Sequence, residues 1–402
     1  MKVKHVTFSS TGGAGIVACR MVRAQRDMGI DSTLLTVVGG AVGVRTIAHP
    51  KLFISAMFDF FILRKSRMAP LFSRYRTPSA AITAQLSKYD GVVHLHWTPG
   101  AVDMEELLQT TDRHGGCVWT LHDMWAFTGG CHHSLDCLHY SEKCQSCPQV
   151  RSVFQSSIQK HFERKKNLYA DTKNLRIVCP SNWLKERADR SGVFQSSEVS
   201  VIHNPVPPEY FLSFRSQQDV DTGQTKDLVV CFVANDVADP NKNLGTVIEI
   251  IDKANQKLVN ADSRVILKVI GNGSLQTTSP CVQFLGPIED SGKMAKLISE
   301  TDLMVNYSEA ENFPNVIAES LACGTPVIGR NVGGIPELIT DGETGHLVSS
   351  PAEVIECLLS LHADRKTLQQ MSSNSYLWAC QNLEENAIMK KYAELYLSLE
   401  KE

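Results

Sequence analysis

The segment from Glu311 to Glu319 carries two carboxylates separated by seven residues. The pattern predicts a loop at Glu311 and a helix that ends at Gly324, with Glu319 about two turns into that helix. Both carboxylates can then face one ligand. Such a pair suits the paired hydroxyls of a ribose and a hexose. For either glutamate alone, a solvated helix face that binds nothing is the simpler interpretation.

A glycine-rich loop directly follows the first predicted strand and opens a helix. Gly13 and Gly15 stand at its start, where backbone amides bind phosphate or leave room for a sugar. The spacing also loosely matches the dinucleotide fingerprint, which requires an acid at the end of the second strand. That strand ends at Val38 with two glycines and no acid. We therefore reject a function as an NAD enzyme.

Three residues follow other predicted strands at their carboxyl ends. His122 could hydrogen-bond a sugar hydroxyl or move a proton. Lys242 could hold a diphosphate as a point charge. Gly271 would let a nucleotide base approach the backbone closely. The alternatives are a structural histidine and a surface lysine. His94 and His96 end the strand beside that of His122, and we rank them below it.

Four of the twelve cysteines lie in one segment: Cys131, Cys137, Cys144 and Cys147. The last two have the spacing of a zinc knuckle, whereas the first two are wider apart than usual. Three histidines of the same loop could substitute as ligands: His132, His133 and His139. A closed site with four cysteines would be a structural zinc site. Reduced thiols without a ligand are the alternative.

Composition places the chain among globular proteins of two domains. It has 402 residues, 43% hydrophobic and 21% charged. Residues 1–205 carry 25 Lys and Arg against 16 Asp and Glu, and the remainder carries 15 against 27. The two halves therefore carry net charges of opposite sign, near +9 and −12. We find no secretory signal and no apolar run long enough to span a membrane, which predicts a cytoplasmic protein with reduced thiols.

Buried-strand patterns alternate with helical stretches in two series, which predicts two Rossmann-like domains with parallel sheets. The first series has six strands: Val3–Phe8, Ser32–Val38, Val92–His96, Val118–Leu121, Arg176–Cys179 and Val199–Ile202. The second has four: Leu228–Ala234, Val265–Ile270, Leu303–Tyr307 and Pro326–Ile328. Proposed boundaries are 1–206, 207–380 and a closing amphipathic helix within 381–402 that packs back on the first domain. We expect the ligand site in a cleft between the domains.

Two further segments show weaker signs of a function. Residues 52–63 are strongly apolar and cationic residues follow to position 76, so residues 52–76 could contact a membrane surface. Packing of that segment on its own sheet is the alternative. Asp219 and Asp221 match a metal-binding DxD pattern of some sugar-transfer enzymes, but they lie in an aperiodic linker and we interpret the match as coincidental.

Taken together, these motifs resemble glycosyltransferase family 4, whose members are retaining enzymes of the GT-B fold. The Glu311 to Glu319 segment looks like the family signature, and the segment Gly333 to Glu337 is similar to its following glycine element. The His122 region with the cysteine loop is similar to a branch that makes bacterial colanic acid and exopolysaccharides. The resemblance covers nearly the whole chain.

The resemblance implies roles for individual residues. His122 and Glu311 would be catalytic and contact the transferred sugar, Lys242 would hold the diphosphate, and Glu319 would bind the ribose. Further donor-binding residues would be Gly13, Gly15, Gly271, Asn312, Phe313, Pro314 and Asn315. Two positions depart from the family pattern, since Asn312 replaces a glycine and Asn235 replaces an arginine that often assists the lysine.

The implied activity is transfer of a sugar from a UDP- or GDP-sugar to a saccharide or lipid-linked saccharide, with retained configuration. It needs no metal cofactor, and a cytoplasmic protein on the inner membrane face would suit such an acceptor. No nucleic-acid partner is expected. Two alternatives remain, a catalytically silent scaffold protein of the same fold and a phosphorylase or epimerase.

Overall fold

The computed structural model describes residues 1–39, 44–46, 63, 72–73, 79–111, 115–214, 227–258 and 262–399. They form two compact α/β units. The first consists of residues 1–205 with 386–402, and the second of residues 206–385. Most of the membrane candidate 52–76, and both Asp219 and Asp221, lie outside the described residues.

The first unit is built on a seven-stranded parallel sheet of order β3-β2-β1-β4-β5-β6-β7. Its strands are β1 (Lys2–Ser9), β2 (Asp31–Val38), β3 (Val44–Thr46), β4 (Val92–Leu95), β5 (Cys117–Thr120), β6 (Leu175–Cys179) and β7 (Glu198–Val201). Both faces of β4 and β5 are buried. This explains why they read in the sequence as continuous apolar runs.

Among the described residues of the N-terminal part, five helices accompany this sheet. They are α1 (Gly12–Asp27), α2 (Ala80–Leu86), α3 (Met104–Thr111), α4 (Gln155–Ala170) and α5 (Asn182–Ser191). A long loop between β5 and α4 carries the cysteine segment and three short 3-10 turns, Trp125–Phe127, His139–Glu142 and Ser152–Phe154.

The second unit has a six-stranded parallel sheet of order β10-β9-β8-β11-β12-β13. Its strands are β8 (Leu228–Asp236), β9 (Val265–Asn272), β10 (Val282–Gly286), β11 (Leu303–Asn306), β12 (Val327–Arg330) and β13 (Gly345–Val348). Its helices are α6 (Pro208–Leu212), α7 (Leu244–Lys257), α8 (Ser291–Ser299), α9 (Asn315–Ala322), α10 (Pro351–Ala363) and α11 (Arg365–Asn382). The predicted fold class, two Rossmann-like parallel sheets, is confirmed.

The last helix, α12 (Glu385–Leu399), belongs to the first unit although it follows the second in the chain. Ile388, Met389 and Tyr392 share one buried cluster with Val3 of β1 and Val92 of β4. The helix therefore covers the same face of the first sheet as α1. No helix among the described residues is long and apolar enough to cross a membrane.

Candidate active site

The carboxyl ends of β8, β11 and β12 lie side by side at one edge of the second sheet. The chain moves from β8 outward to β9 and β10, then returns to add β11 on the other side of β8. Ligands of open parallel sheets bind at such a switch point. Lys242 follows β8, Glu311 follows β11, and Arg330 ends β12.

Lys242 and Glu311 form an ion pair at this edge. Lys242 Nζ lies 2.5 Å from Glu311 Oε1, and the side chains are 24% and 12% exposed. Burial lowers the pKa of the Lys242 ammonium, but the charge and hydrogen bond of Glu311 outweigh it and raise that pKa overall. The lysine is therefore a fixed positive charge, and an incoming diphosphate would compete with Glu311 for it.

Two asparagines hold the loop after β8 against the loop after β11. Asn241 Oδ1 accepts from Ala310 N at 3.0 Å, and Asn241 Nδ2 donates to Ala310 O at 3.1 Å. Asn243 adopts a left-handed conformation with φ 56°. Its Nδ2 donates to Glu309 Oε1 at 2.6 Å. These contacts fix the backbone on both sides of the ion pair.

The glycine pair after β12 supports the backbone of Glu311. Gly334 N donates to Glu311 O at 3.1 Å. Gly333 has φ +61°, and a Cβ there would lie 1.8 Å from Glu311 O. Only glycine fits at 333, because both the conformation and the close approach exclude a side chain.

The remaining signature residues lie in or directly before α9. Glu319 is buried in the second turn, with 6% of its surface exposed. Asn312 and Phe313 are also buried, and the Phe313 ring belongs to a hydrophobic cluster with Ile317. Pro314 is the N-cap and Asn315 the first helical residue. The structure thus gives Phe313 a packing role that the sequence analysis did not assign.

The other predicted glycines have structural reasons of their own. Gly271 ends β9 with φ +147°, and a Cβ would lie 1.9 Å from Ala234 O in β8. A Cβ at Gly15 would lie 2.3 Å from Ser9 O, so this glycine lets α1 start close to β1. Gly13 lies in the first turn of α1. Whether any of them contacts a ligand stays a prediction.

His122 follows β5 at the carboxyl edge of the first sheet. It is partly exposed and lines a small pocket with Thr98, Asp123 and Trp125. Thr98 is buried, and its Oγ1 has no hydrogen-bond partner among the described residues. An unpaired buried hydroxyl is costly unless a ligand or water satisfies it. His122, Gly13 and Gly15 thus belong to the first unit, and the other predicted donor-binding residues to the second.

Asp123 links His122 to the cysteine loop. Its Oδ2 accepts from Trp97 Nε1 at 2.7 Å and pairs with His132 Nδ1 at 2.6 Å. Burial would raise the pKa of the Asp123 carboxyl, but His132 outweighs burial and lowers it. The other ring nitrogen of His132 lies 3.0 Å from Ser73 Oγ. Both nitrogens are thus engaged, so His132 is not a spare metal ligand.

The chemistry of the four loop cysteines suits a zinc ion, whereas the positions of their sulfurs do not form a compact site. Cys131, Cys144 and Cys147 are buried, and Gly129 N donates to Cys144 Sγ at 3.1 Å. Burial, followed by the nearby Cys144 and Cys147, raises the pKa of the Cys131 thiol. A bound cation would relieve that penalty, so the donor set suits zinc chemically. The sulfurs nevertheless do not form a group within 4.8 Å of one another in the described chain.

The described part of the membrane candidate packs on this loop. Phe72 forms a bridge with Cys131, and Leu63 forms one with Val150. Phe72 is 5% exposed. These two residues therefore follow the packing alternative, and the rest of 52–76, apart from Ser73, lies outside the described residues.

Three buried histidines form a cluster, of which the sequence analysis ranks His94 and His96 low and does not consider His5. The ligand atoms of His5, His94 and His96 lie within 4.8 Å of one another, the one such group among the described residues. Hydrogen bonds already occupy both ring nitrogens of each. His94, for example, bonds Tyr396 OH at 2.6 Å and Thr120 Oγ1 at 2.8 Å. We therefore interpret the cluster as a hydrogen-bond network rather than a metal centre.

Arg330 is a second cation that the sequence analysis missed. It pairs with Glu309, and its guanidinium lies 5.1 Å from the centre of the Tyr307 ring. Its position at the carboxyl end of β12 could have identified it from the sequence, because β8, β11 and β12 are neighbours whose carboxyl ends lie at the same edge of the sheet. It supplies positive charge to the edge that lacks an arginine at Asn235.

Two family models match the chain, one over most of the first unit and one within the second. Residues 11–210 match the family model described as Glycosyltransferase Family 4, and residues 227–364 match the one described as Glycosyl transferases group 1. The chain belongs to glycosyltransferase family 4. The two family models describe glycosyltransferases, enzymes of the EC 2.4 class.

Several proteins are similar to this glycosyltransferase over parts of its length. N-acetyl-alpha-D-glucosaminyl L-malate synthase of Bacillus anthracis is 34% identical over 117 residues, 29% of this chain and 30% of that one. WcaC of Escherichia coli (strain K12), whose name refers to colanic acid biosynthesis, is 23% identical over 60% of this chain and 57% of its own. The chain spans less than two thirds of the length of these curated relatives.

A solved structure matches the fold of this glycosyltransferase over almost its full length. Anabaena Alr3699/HepE, crystallised in complex with UDP and glucose, has a TM-score of 0.66 and 18% identity. The match covers 99% of this chain and 100% of that one. At this identity the likeness shows the GT-B fold alone.

Proposed function

We propose that the protein transfers a sugar from a UDP- or GDP-sugar to a hydroxyl of a saccharide or lipid-linked saccharide, with retained configuration. The pathway we infer is bacterial surface polysaccharide biosynthesis, such as exopolysaccharide. One observation carries the proposal, the ion pair between Lys242 and Glu311 at the switch point of the second sheet. The colanic acid relative and the Anabaena complex with UDP and glucose support it.

The charges at the sheet edge suit the reaction. Transfer leaves a diphosphate and passes through a sugar with cationic character, so it needs fixed positive charge beside the phosphates and a carboxylate near the sugar. Lys242 and Arg330 supply the first and Glu311 the second. Since both cations are held by carboxylates, the diphosphate would exchange partners with groups already in place.

Three further roles concern other predicted residues. Buried Glu319 in α9 would bind the ribose hydroxyls, and His122 would contact the transferred sugar. The backbone from Asn312 to Asn315 would approach the donor. We propose that no divalent metal takes part in the transfer and that zinc, if bound, is structural at the cysteine loop.

A transfer assay with three variants tests the proposal. Glu311→Gln and Lys242→Gln should each lower kcat/KM by at least about 100-fold, the usual loss when a charge-stabilising group is removed. Lys253→Gln is the matched control, because Lys253 also pairs with a glutamate (Glu249, 3.9 Å) but on the exposed face of α7.

The result decides among the alternatives. Full turnover by Glu311→Gln and Lys242→Gln would overturn the assignment. Wild-type protein that binds nucleotide sugars but transfers nothing to any acceptor would favour the scaffold, and dependence on phosphate would favour a phosphorylase. EDTA should leave transfer unchanged.

A further inference from the structure

A chain of hydrogen bonds runs through the first unit from Gln25 on α1 to His122. Gln25 Oε1 lies 2.8 Å from His5 Nε2. His5 Nδ1 lies 2.9 Å from His96 Nε2, and His96 Nδ1 lies 3.0 Å from His122 Nε2. Gln25 and His5 are fully buried and His96 is 2% exposed. The chain thus begins inside the protein and ends at the pocket.

The imidazoles in this chain are neutral at neutral pH. Burial lowers the pKa of His5 to about 4, and partial desolvation lowers the pKa of the half-buried His122 to about 4 as well. Burial, followed by the neighbouring histidines, holds the pKa of His96 well below its ordinary value. A neutral imidazole has one N–H and one acceptor nitrogen.

The donor and acceptor roles of the three histidines then follow from Gln25, at the buried end of the hydrogen-bond chain. The amide oxygen of Gln25 only accepts, so His5 donates from Nε2 and accepts at Nδ1. His96 must therefore donate from Nε2 and accept at Nδ1. His122 in turn donates from Nε2, which leaves Nδ1 as a lone pair. No described residue hydrogen-bonds that nitrogen.

The direction of the chain depends on the orientation of the Gln25 amide. Its Nε2 donates to Tyr396 OH at 3.0 Å, and Ser32 Oγ donates to its Oε1 at 2.8 Å. Tyr396, having accepted one hydrogen bond, donates its own proton to His94 Nδ1 at 2.6 Å. A reversed amide would invert every tautomer. The tautomer inferred for His122 therefore follows from this orientation of the Gln25 amide, in which Tyr396 OH on α12 accepts from Gln25 Nε2.

We propose that Gln25, His5 and His96 are positioning residues that fix His122 in its Nε2–H tautomer, with Nδ1 presented as the acceptor for a substrate hydroxyl. The tautomer follows from the contacts of the first unit alone. Its use with a sugar hydroxyl rests on the proposed function.

Nitrogen NMR of histidine-labelled protein tests the tautomer directly. In the wild type, the His122 signals, assigned by their loss in His122→Gln, should show protonated Nε2 and bare Nδ1. Gln25→Leu removes the terminal acceptor and should give mixed tautomers, whereas Gln25→Glu keeps an acceptor and should retain Nε2–H. Tyr392→Phe is the control, since the one hydrogen bond of Tyr392 OH within the described part of the chain goes to Thr120 Oγ1 on the side branch, at 3.0 Å.

Kinetics separates positioning from a merely structural role. Gln25→Leu should lower kcat at least about tenfold, while KM for the donor changes less than twofold. A tenfold loss is smaller than the roughly 100-fold or greater contribution of a general base, because a fraction of His122 would still hold the productive tautomer. Tyr392→Phe should change neither.

Two results would overturn the inference. One is a wild-type spectrum with the proton on Nδ1 of His122, which decides the matter even if Gln25→Leu does not fold. The other is a folded Gln25→Leu protein with an unchanged His122 tautomer. If the tautomer is as expected but no nucleotide sugar supports transfer, the proposed function fails and the positioning network stands.

Discussion

At the scale of single residues, the account depends on carboxylates and cations that the backbone brings to one strand edge. The separation of Glu311 and Glu319 could be predicted from the sequence because both belong to one local motif. The pairing of Glu311 with Lys242 needed the fold, since the two lie 69 residues apart in the chain. A local pattern names candidates, and sheet order decides which of them meet.

The histidine network shows the same limit. His5, His94 and Thr120 each stand two residues after a buried valine, on the strand face covered by α1 and α12. This alternation was visible in the sequence. The partner Tyr396, 302 residues from His94, was not predictable as a contact, because α12 returns to the first unit only after the whole second unit.

Gly333 should be intolerant of any side chain. We expect Gly333→Ala to push Glu311 away, because its Cβ would lie 1.8 Å from Glu311 O, and transfer should fall more than about tenfold. Gly342→Ala controls for backbone strain alone, since Gly342 has φ +78° with open space around it. It should cost about 1 kcal/mol of stability and no activity. Equal activity losses in the two variants would contradict this explanation.

At the scale of elements, the central strands were predictable from the sequence, whereas three of the four edge strands were not. The strands missed within the described ranges are β3, β10 and β13, and each lies at an edge of its sheet. β10 alternates between partly buried and exposed residues, so it lacks the apolar run that marks a central strand. Strand β7 is the one edge strand that was predicted.

The cysteine loop is the element at which we propose a structural zinc. We expect purified protein to contain about one zinc, which Cys144→Ser and Cys147→Ser should lose because each removes a buried thiolate ligand. Cys179→Ser is the control, a buried cysteine at the end of β6 outside the loop.

Elemental analysis of the variants decides the location. Zinc absent from the wild type would contradict the hypothesis. Zinc retained by the loop variants but lost on His94→Phe would place it at the histidine cluster and would also contradict the network proposed for it.

At the scale of the whole molecule, the two units should respond differently to acid. Burial lowers the pKa of His5 to about 4, and that of His94 and His96 well below the usual 6.5. Between pH 6.5 and 4 the unfolded chain binds protons that the native unit does not, so stability falls as pH falls. His5 alone accounts for a loss on the order of 3 kcal/mol at pH 4.

Urea unfolding at pH 7.5 and pH 5 measures this effect. Tryptophan fluorescence reports mainly the first unit, which holds Trp97, Trp119, Trp125 and Trp183, whereas the second holds Trp378. The midpoint of the first unit should drop at pH 5. A midpoint that is independent of pH would show that the histidines are not buried and neutral.

The central claim is that the carboxyl edge of the second sheet binds a nucleoside diphosphate through Lys242. Calorimetric titration of UDP and GDP into wild type, Lys242→Gln, Arg330→Gln and Arg365→Gln tests it most directly. Arg365 pairs with Asp302, just before β11 begins, at the opposite end of the strands. We predict at least about tenfold weaker binding for Lys242→Gln and Arg330→Gln, as for loss of a charged hydrogen bond, and unchanged binding for Arg365→Gln. Wild-type affinity in Lys242→Gln would contradict the account.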